Sequence, residues 1–226
     1  MKAMLLAAGR GERMGALTER CPKPLLPVAG KPLLRHHLER LAHMGIREVV
    51  VNASYLGEQV EAFLAQQTDL GLVLALSREP ERLETGGGIH NALPLLGSDP
   101  FLLVNSDVWS DYPLQQLPQR PAGLAHLVLV DNPAHNPDGD FALRGQDVVA
   151  EGLSAGEPRL TFSGISVIDP VLFAECQGGR FPLAPLLKKA MGQGKVQGEH
   201  YGGYWVDVGT PERLAAVEQK LQEQTQ

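Results

Sequence analysis

Short apolar runs alternate with segments of helical periodicity along the first half of the chain. Lys2–Ala8 predicts a strand that stops at Gly9. Pro32 opens a helix whose apolar face is Leu33, Leu34, His37, Leu38 and Leu41, the three-to-four spacing of one helix side. Ile46–Asn52, with Val49-Val50-Val51 at its centre, predicts a strand buried on both faces. Tyr55–Gln67 predicts a helix, Leu72–Ser77 a strand and Gly88–Leu96 a short helix, and Phe101–Asn105 a strand running into Ser106-Asp107. This alternation implies an α/β fold with a mostly parallel, Rossmann-like twisted sheet and helices on both faces.

Beyond residue 120 the pattern loosens. Strands are predicted at Ala125–Val130, Phe141–Leu143, Arg159–Ile168 and Tyr204–Val208, and helices at Asp169–Glu175, Leu183–Met191 and Pro211–Gln222. There is no internal repeat or linker, so one domain over residues 1–226 is expected, with a Gln-rich end that frays.

Open α/β sheets bind ligands beyond the carboxyl ends of their strands. Here those ends deliver Gly9–Arg13, Asn52, Glu79 and Asp107 to one crevice. The glycines let backbone amides approach an anion, Arg13 offers a planar fork of donors, and Lys23 a compact charge. Together they describe a phosphate cradle.

Charge supports that picture. Residues 10–35 hold six basic and two acidic side chains on a chain of net charge −6, a positive patch on an acidic body. That suits a small polyanion and argues against nucleic acid as a partner. Two cysteines without metal-ligand or redox spacing fit reduced thiols in a cytoplasmic protein. The Met4–Ala8 run is too short for a signal peptide, and nothing approaches the roughly 18 apolar residues of a membrane span, so no membrane partner is expected.

Gly9, Gly11 and Gly15 after a strand also match the spacing of a dinucleotide-binding turn, but Pro22, Pro24 and Pro27 forbid the regular helix that turn requires. Gly30-Lys31 lacks the earlier glycine of a Walker A loop. A long wrapped loop is expected instead.

The segments Leu6-Ala7-Ala8-Gly9-x-Gly11-x-Arg13, Pro22-Lys23-Pro24-Leu25, Glu84-Thr85-Gly86-Gly87-Gly88, Asn105-Ser106-Asp107 and Trp205–Leu214 together resemble the sugar-1-phosphate nucleotidyltransferase family. Within it, the short length and Phe162-Ser163-Gly164-Ile165 are most similar to the uridylyltransferase branch that acts on N-acetylmuramate α-1-phosphate in peptidoglycan recycling. Mannose- or heptose-phosphate guanylyltransferases, or a silent nucleotide-sugar-binding regulator, are the alternatives.

The resemblance implies UTP and a sugar-1-phosphate as partners, Mg²⁺ on Asp107 and Asp207, and Arg13 and Lys23 as catalytic groups. It places the nucleotide against Ala8, Gly9, Gly11, Glu12, Arg13, Lys23, Glu79, Glu84, Thr85, Gly86 and Asn105, and the sugar against Asn52, Asp140, Glu151 and Gly164. Glu79 could accept from uracil or from guanine, so it does not separate the two bases. Many relatives carry a Glu-Lys-Pro motif whose lysine meets the sugar phosphate. This chain lacks it, so the resemblance names no anchor for that phosphate. A monomer is expected, since no further domain is appended.

Overall fold

The computed structural model describes residues 1–152, 154 and 156–223; the expected fraying of the Gln-rich end concerns residues largely outside these. Thirteen strands are described, and five α-helices. The first half runs β1 (Ala3–Leu6), β2 (Pro27–Val28), β3 (Lys31–Pro32), α1 (Leu33–His43), β4 (Glu48–Ala53), α2 (Gly57–Ala65), β5 (Val73–Arg78), α3 (Glu84–Leu96), β6 (Phe101–Asn105) and β7 (Val108–Ser110). The second half runs β8 (Ala125–Val130), β9 (Ala142–Arg144), β10 (Asp147–Val149), β11 (Thr161–Ile168), α4 (Ala184–Met191), β12 (Val196–Tyr201), β13 (Trp205–Asp207) and α5 (Pro211–Glu223).

Nine strands form one sheet in the order β5-β4-β1-β6-β11-β8-β12-β10-β9. All but β11 and β10 run in one direction, which gives the mostly parallel sheet expected. Both faces are apolar because successive side chains point to opposite sides. Ala3, Leu5, Val49 and Val51 pack with Leu34, Leu38 and Leu41 of α1 and Val60 and Leu64 of α2. Met4, Val50 and Leu103 pack on the other face with Ile89, Ala92 and Leu96 of α3 and Leu187 and Ala190 of α4. A smaller cluster joins Val28 and Leu33 to Val208 and Val217, seating α5.

Three local readings change. The wrapped loop after Gly9 contains two tight 3₁₀ stretches, Glu12–Thr18 and Lys23–Leu25, the first interrupted at Gly15. Asp169–Glu175 holds only a short 3₁₀ turn, Pro170–Phe173, which begins on a proline and uses Asp169 as its cap. Helix α3 starts at Glu84 rather than Gly88. Glycines are poor helix formers, yet here the helix runs through three of them, at positions where neighbouring elements leave no room for a Cβ. The sequence predicts none of β2, β3, β7, β10 and β12: the first four are two or three residues each, and β12 interrupts its apolar positions with Gly198 and Glu199.

Candidate active site

The carboxyl ends of β1, β4, β5 and β6 open on a cleft of about 450 Å³. Its wall includes Ala8, Gly9, Gly11, Glu12, Arg13, Lys23, Asn52, Glu79, Glu84, Thr85, Asn105 and Asp107 from the predicted set. Arg10, Arg82, Ser106 and Gly209 join them. Arg82 lies between two predicted residues, Glu79 and Glu84, and that proximity was the only signal for it.

The floor of the loop is fixed by local chemistry. Gly11 has φ +68°, a left-handed conformation that L side chains rarely adopt, and a Cβ there would lie 3.1 Å from Lys23 Cβ. Thr18 Oγ1 donates to the Gly11 carbonyl at 3.0 Å and so closes the turn. Lys23 is held between Pro22 and Pro24, whose rings restrict the backbone, and the Leu25 and Leu26 amides bond back to Pro22 and Lys23. The lysine is buried, and its Nζ donates to Asp107 Oδ2 at 2.6 Å. A buried ammonium of this kind needs an anionic partner, and Asp107 is the one it has.

At the opposite end the wall is a buried polar relay. The Ala7 amide donates to Asn52 Oδ1 at 2.7 Å, and Asn52 Nδ2 donates to Glu79 Oε1 at 2.6 Å. The Leu83 amide donates to Glu79 Oε2 at 3.1 Å. Asn52, a sugar-side candidate in the sequence, thus stands in the cleft wall beside Glu79, as its place at a strand end predicts. Both oxygens of Glu79 are engaged, so its first effect is to pin the turn that carries Leu83 and Glu84.

That turn is clamped from outside. Glu84 has φ +61°, in the left-handed region, and its carboxylate pairs with Arg180 Nε at 2.9 Å. The Phe181 amide donates to the Leu83 carbonyl at 3.1 Å, and its carbonyl accepts from the Gly87 amide at 2.9 Å. Thr85 Oγ1 accepts from the Leu183 amide at 3.1 Å. Gly86 is buried under Phe181, one layer behind the cleft surface.

Beneath Asp107, His37 is 5% exposed and bonds the Ser106 carbonyl through Nε2 at 3.2 Å. Burial, reinforced by Arg40, lowers its pKa to about 4. The ring is therefore neutral with its proton on Nε2, a packing role that agrees with its place on the apolar face of α1.

Asp207 comes from the far end of the sequence to the edge of the cleft, beside Arg13 and two residues before Gly209 of the wall. β13 pairs antiparallel with β7, setting Asp207 opposite Val108, and the Val208 amide donates to the Asp107 carbonyl at 2.7 Å. Asp207 Oδ2 lies 3.9 Å from Arg13 Nη2, while Oδ1 accepts from Arg213 and lies 3.1 Å from His135 Nε2. The sequence places Arg213 inside the Trp205–Leu214 segment but assigns it no role, and it gives no signal for His135, which sits in no strand-end pattern.

Asp107 and Asp207 are thus two hard oxygen donors on adjacent backbone segments, each partly exposed. They fit Mg²⁺, which takes one or two carboxylates and fills its remaining positions with phosphate and water. Among the described residues no group of three or more His, Cys, Asp or Glu competes as a metal site.

The remaining predicted residues lie apart from the cleft wall. Asp140 Oδ2 accepts from the Phe162 amide at 2.8 Å, and Oδ1 from Asn136 at 3.2 Å. Glu151 is exposed, two residues past β10. Gly164 has φ +79°, and a Cβ there would sit 2.6 Å from Asn105 Nδ2, so the glycine lets β11 lie directly over Asn105.

The nucleotidyl transferase family profile matches residues 2–143. The chain is 48% identical over 221 residues to the N-acetylmuramate alpha-1-phosphate uridylyltransferase of Neisseria meningitidis, covering 95% of each. It is 35% identical to the protein of the same name from Caulobacter vibrioides, over 98% of this chain and 97% of that one. Its backbone superposes on a Bacillus anthracis protein described as a glucose-1-phosphate thymidylyltransferase with a TM-score of 0.83 at 17% identity, covering 99% and 96% of the two chains.

Proposed function

The chain belongs to the nucleotidyl transferase family, and from that premise we propose that it transfers a uridylyl group from UTP to N-acetylmuramate α-1-phosphate, releasing pyrophosphate and UDP-N-acetylmuramate. The observation that carries this reading is the likeness along nearly the full length to two uridylyltransferases, combined with a cleft lined by Arg13, Lys23 and Asp107, with Asp207 3.9 Å from Arg13 at its edge. Product of this kind would re-enter cell-wall synthesis, and the two free thiols, Cys21 and Cys176, suit a cytoplasmic enzyme.

An acceptor phosphate oxygen attacks the α-phosphorus of UTP. That P–O bond forms as the bond from the α-phosphorus to the bridging oxygen breaks, and pyrophosphate leaves with the electron pair. The attacking oxygen is already anionic at neutral pH, so no general base is needed. The protein's work is positioning and charge stabilisation.

The Gly9–Glu12 amides and the Arg13 fork meet the β- and γ-phosphates and stabilise the leaving group. Lys23 turns from Asp107 to the α-phosphate and offsets charge that grows there. Asn52 and Glu79 hold the turn bearing Glu84 and Thr85 against the base. Mg²⁺ held by Asp107 and Asp207 would supply charge neutralisation between the reacting phosphates.

The test is a panel of UTP, GTP, CTP, ATP and dTTP crossed with several sugar-1-phosphates, reading Mg²⁺-dependent pyrophosphate release. The highest kcat/KM is expected for UTP with N-acetylmuramate α-1-phosphate. A preference for GTP with mannose-1-phosphate would overturn the proposal, and absence of turnover on every pair would favour a silent regulator.

A further inference from the structure

The reaction needs a cation for the acceptor phosphate, and the sequence lacks the lysine that serves relatives there. We propose that Arg213 and His135 form this anchor, a subsite for a phosphate monoester on the side of Asp207 away from the nucleotide; the inference rests on the nucleotidyl-transfer reading given above.

Sheet order decides the direction. Glu79 and Asn52 follow β5 and β4, the glycine turn follows β1, and Asp107 follows β6. A nucleotide with its base at Glu79 and its phosphates at Gly9–Arg13 covers that side of the cleft. The acceptor is left the side above β11 and β8. His135 lies five residues beyond β8, and Arg213 in the first turn of α5.

Asp207 divides the two sides. One oxygen faces Arg13 of the donor loop at 3.9 Å, and the other takes Arg213 and His135. Arg213 Nη1 also lies 3.1 Å from His135 Nε2, so two donors crowd one carboxylate oxygen. Three positively charged or chargeable groups around one aspartate leave an excess suited to a further anion.

The two guanidinium groups also converge. A Cβ on Gly209 would sit 2.7 Å from Arg213 Nη2 and 2.8 Å from Arg13 Nη2, so the glycine lets both cations close on one point of the backbone. The loop bearing His135 is tied down on either side. Asn132 accepts from Thr161 Oγ1 at 2.9 Å and donates to the Arg159 carbonyl at 2.9 Å, while Asn136 Nδ2 donates to Thr161 Oγ1 at 3.1 Å. A fixed imidazole beside a planar fork is a preorganised phosphate site.

The experiment is steady-state kinetics on the full chain and its Arg213→Ala, Arg213→Gln, Arg213→Lys and His135→Ala variants, with Mg²⁺ titrations and isothermal titration of the sugar-1-phosphate. Loss of a charge-assisted contact at Arg213 should raise the acceptor KM and Kd about 10- to 100-fold, with UTP KM and Mg²⁺ half-saturation within about twofold of wild type. His135→Ala should raise acceptor KM about 3- to 10-fold, and Arg213→Lys should recover part of the loss.

An unchanged acceptor KM in Arg213→Gln overturns the anchor. So does an equal rise in acceptor KM, UTP KM and Mg²⁺ requirement, which would make Arg213 only a brace for Asp207. Melting temperatures identify any variant that fails to fold, and Arg213→Lys then carries the comparison. Should wild type prefer another nucleotide and sugar phosphate, the proposed substrates are wrong, while the same comparison on that acceptor still decides the anchor.

Discussion

Gly86→Ala separates two opposed expectations. Gly86 is the third residue of α3, and by helix propensity alone alanine should stabilise it by up to about 1 kcal/mol. The tertiary structure reverses the sign. An added Cβ would lie 2.5 Å and 2.7 Å from Phe181 Cδ2 and Cε2 and 2.8 Å from the Phe181 carbonyl oxygen. Ordinary contacts begin near 3.4 Å, so ring and backbone must both recede by more than half an ångström.

The backbone is not free to do so, since Phe181 is bonded through both its amide and its carbonyl to Leu83 and Gly87. Overpacking costs about 1–3 kcal/mol, and each weakened hydrogen bond about 1 kcal/mol. Set against the propensity gain, a net loss of about 1–3 kcal/mol follows. Gly57→Ala is the control: it opens α2, and its nearest neighbour would be Ala53 Cβ at an ordinary 3.6 Å. It should be neutral or stabilise by up to about 1 kcal/mol. Urea and thermal denaturation of both variants give the comparison, at about 2–4 °C of Tm per kcal/mol for a chain of this length. Because Phe181 clamps the turn carrying Glu84 and Thr85, UTP KM should also rise in Gly86→Ala. If the two variants shifted together, stabilised alike, the tertiary argument would be refuted and propensity would rule.

Lys23→Ala should lower kcat by about 10²–10³, or roughly 2–4 kcal/mol, as for other groups that stabilise transition-state charge; near-normal turnover in a pyrophosphate-release assay would remove Lys23 from the mechanism. The fold should also lose stability in acid through His37. An unfolded histidine takes up a proton near pH 6.5, whereas burial holds this one neutral down to about 4, so its contribution is complete above 6.5 and disappears as pH falls to 4. The amount is about 3 kcal/mol, and His37→Gln should flatten the urea-denaturation profile between those pH values by that much.

Much of this was legible in the sequence because its causes are local. Val49-Val50-Val51 reads as a strand covered on both faces, and its side chains do divide between the α1–α2 and α3–α4 sides. The prolines flanking Lys23 exclude a long helix whatever surrounds them, since ring geometry acts on the residue itself and its neighbour. The glycines after β1 and the apolar stripe of α1 were readable for the same reason.

Other features depend on segments distant in sequence. Asp207 becomes the neighbour of Asp107 through β13–β7 hydrogen bonds, made by backbone groups that carry no residue identity. Asn52 turned toward Glu79 because a buried amide must find a partner, and tertiary packing supplied one. The glycines of α3 have no room for a Cβ, because Phe181, the Gly179 carbonyl and the Asn52–Glu79 pair close on them from other elements. Arg213 and His135 meet only where α5 and the loop after β8 converge on Asp207. The sequence by itself thus determined the apolar skeleton of the strands and helices in the first half and the glycine turn after β1, through steric rules that act within a few residues. Which carboxylates, amides and cations face one another was decided by the tertiary structure, because long-range pairing and burial choose partners that no local pattern encodes.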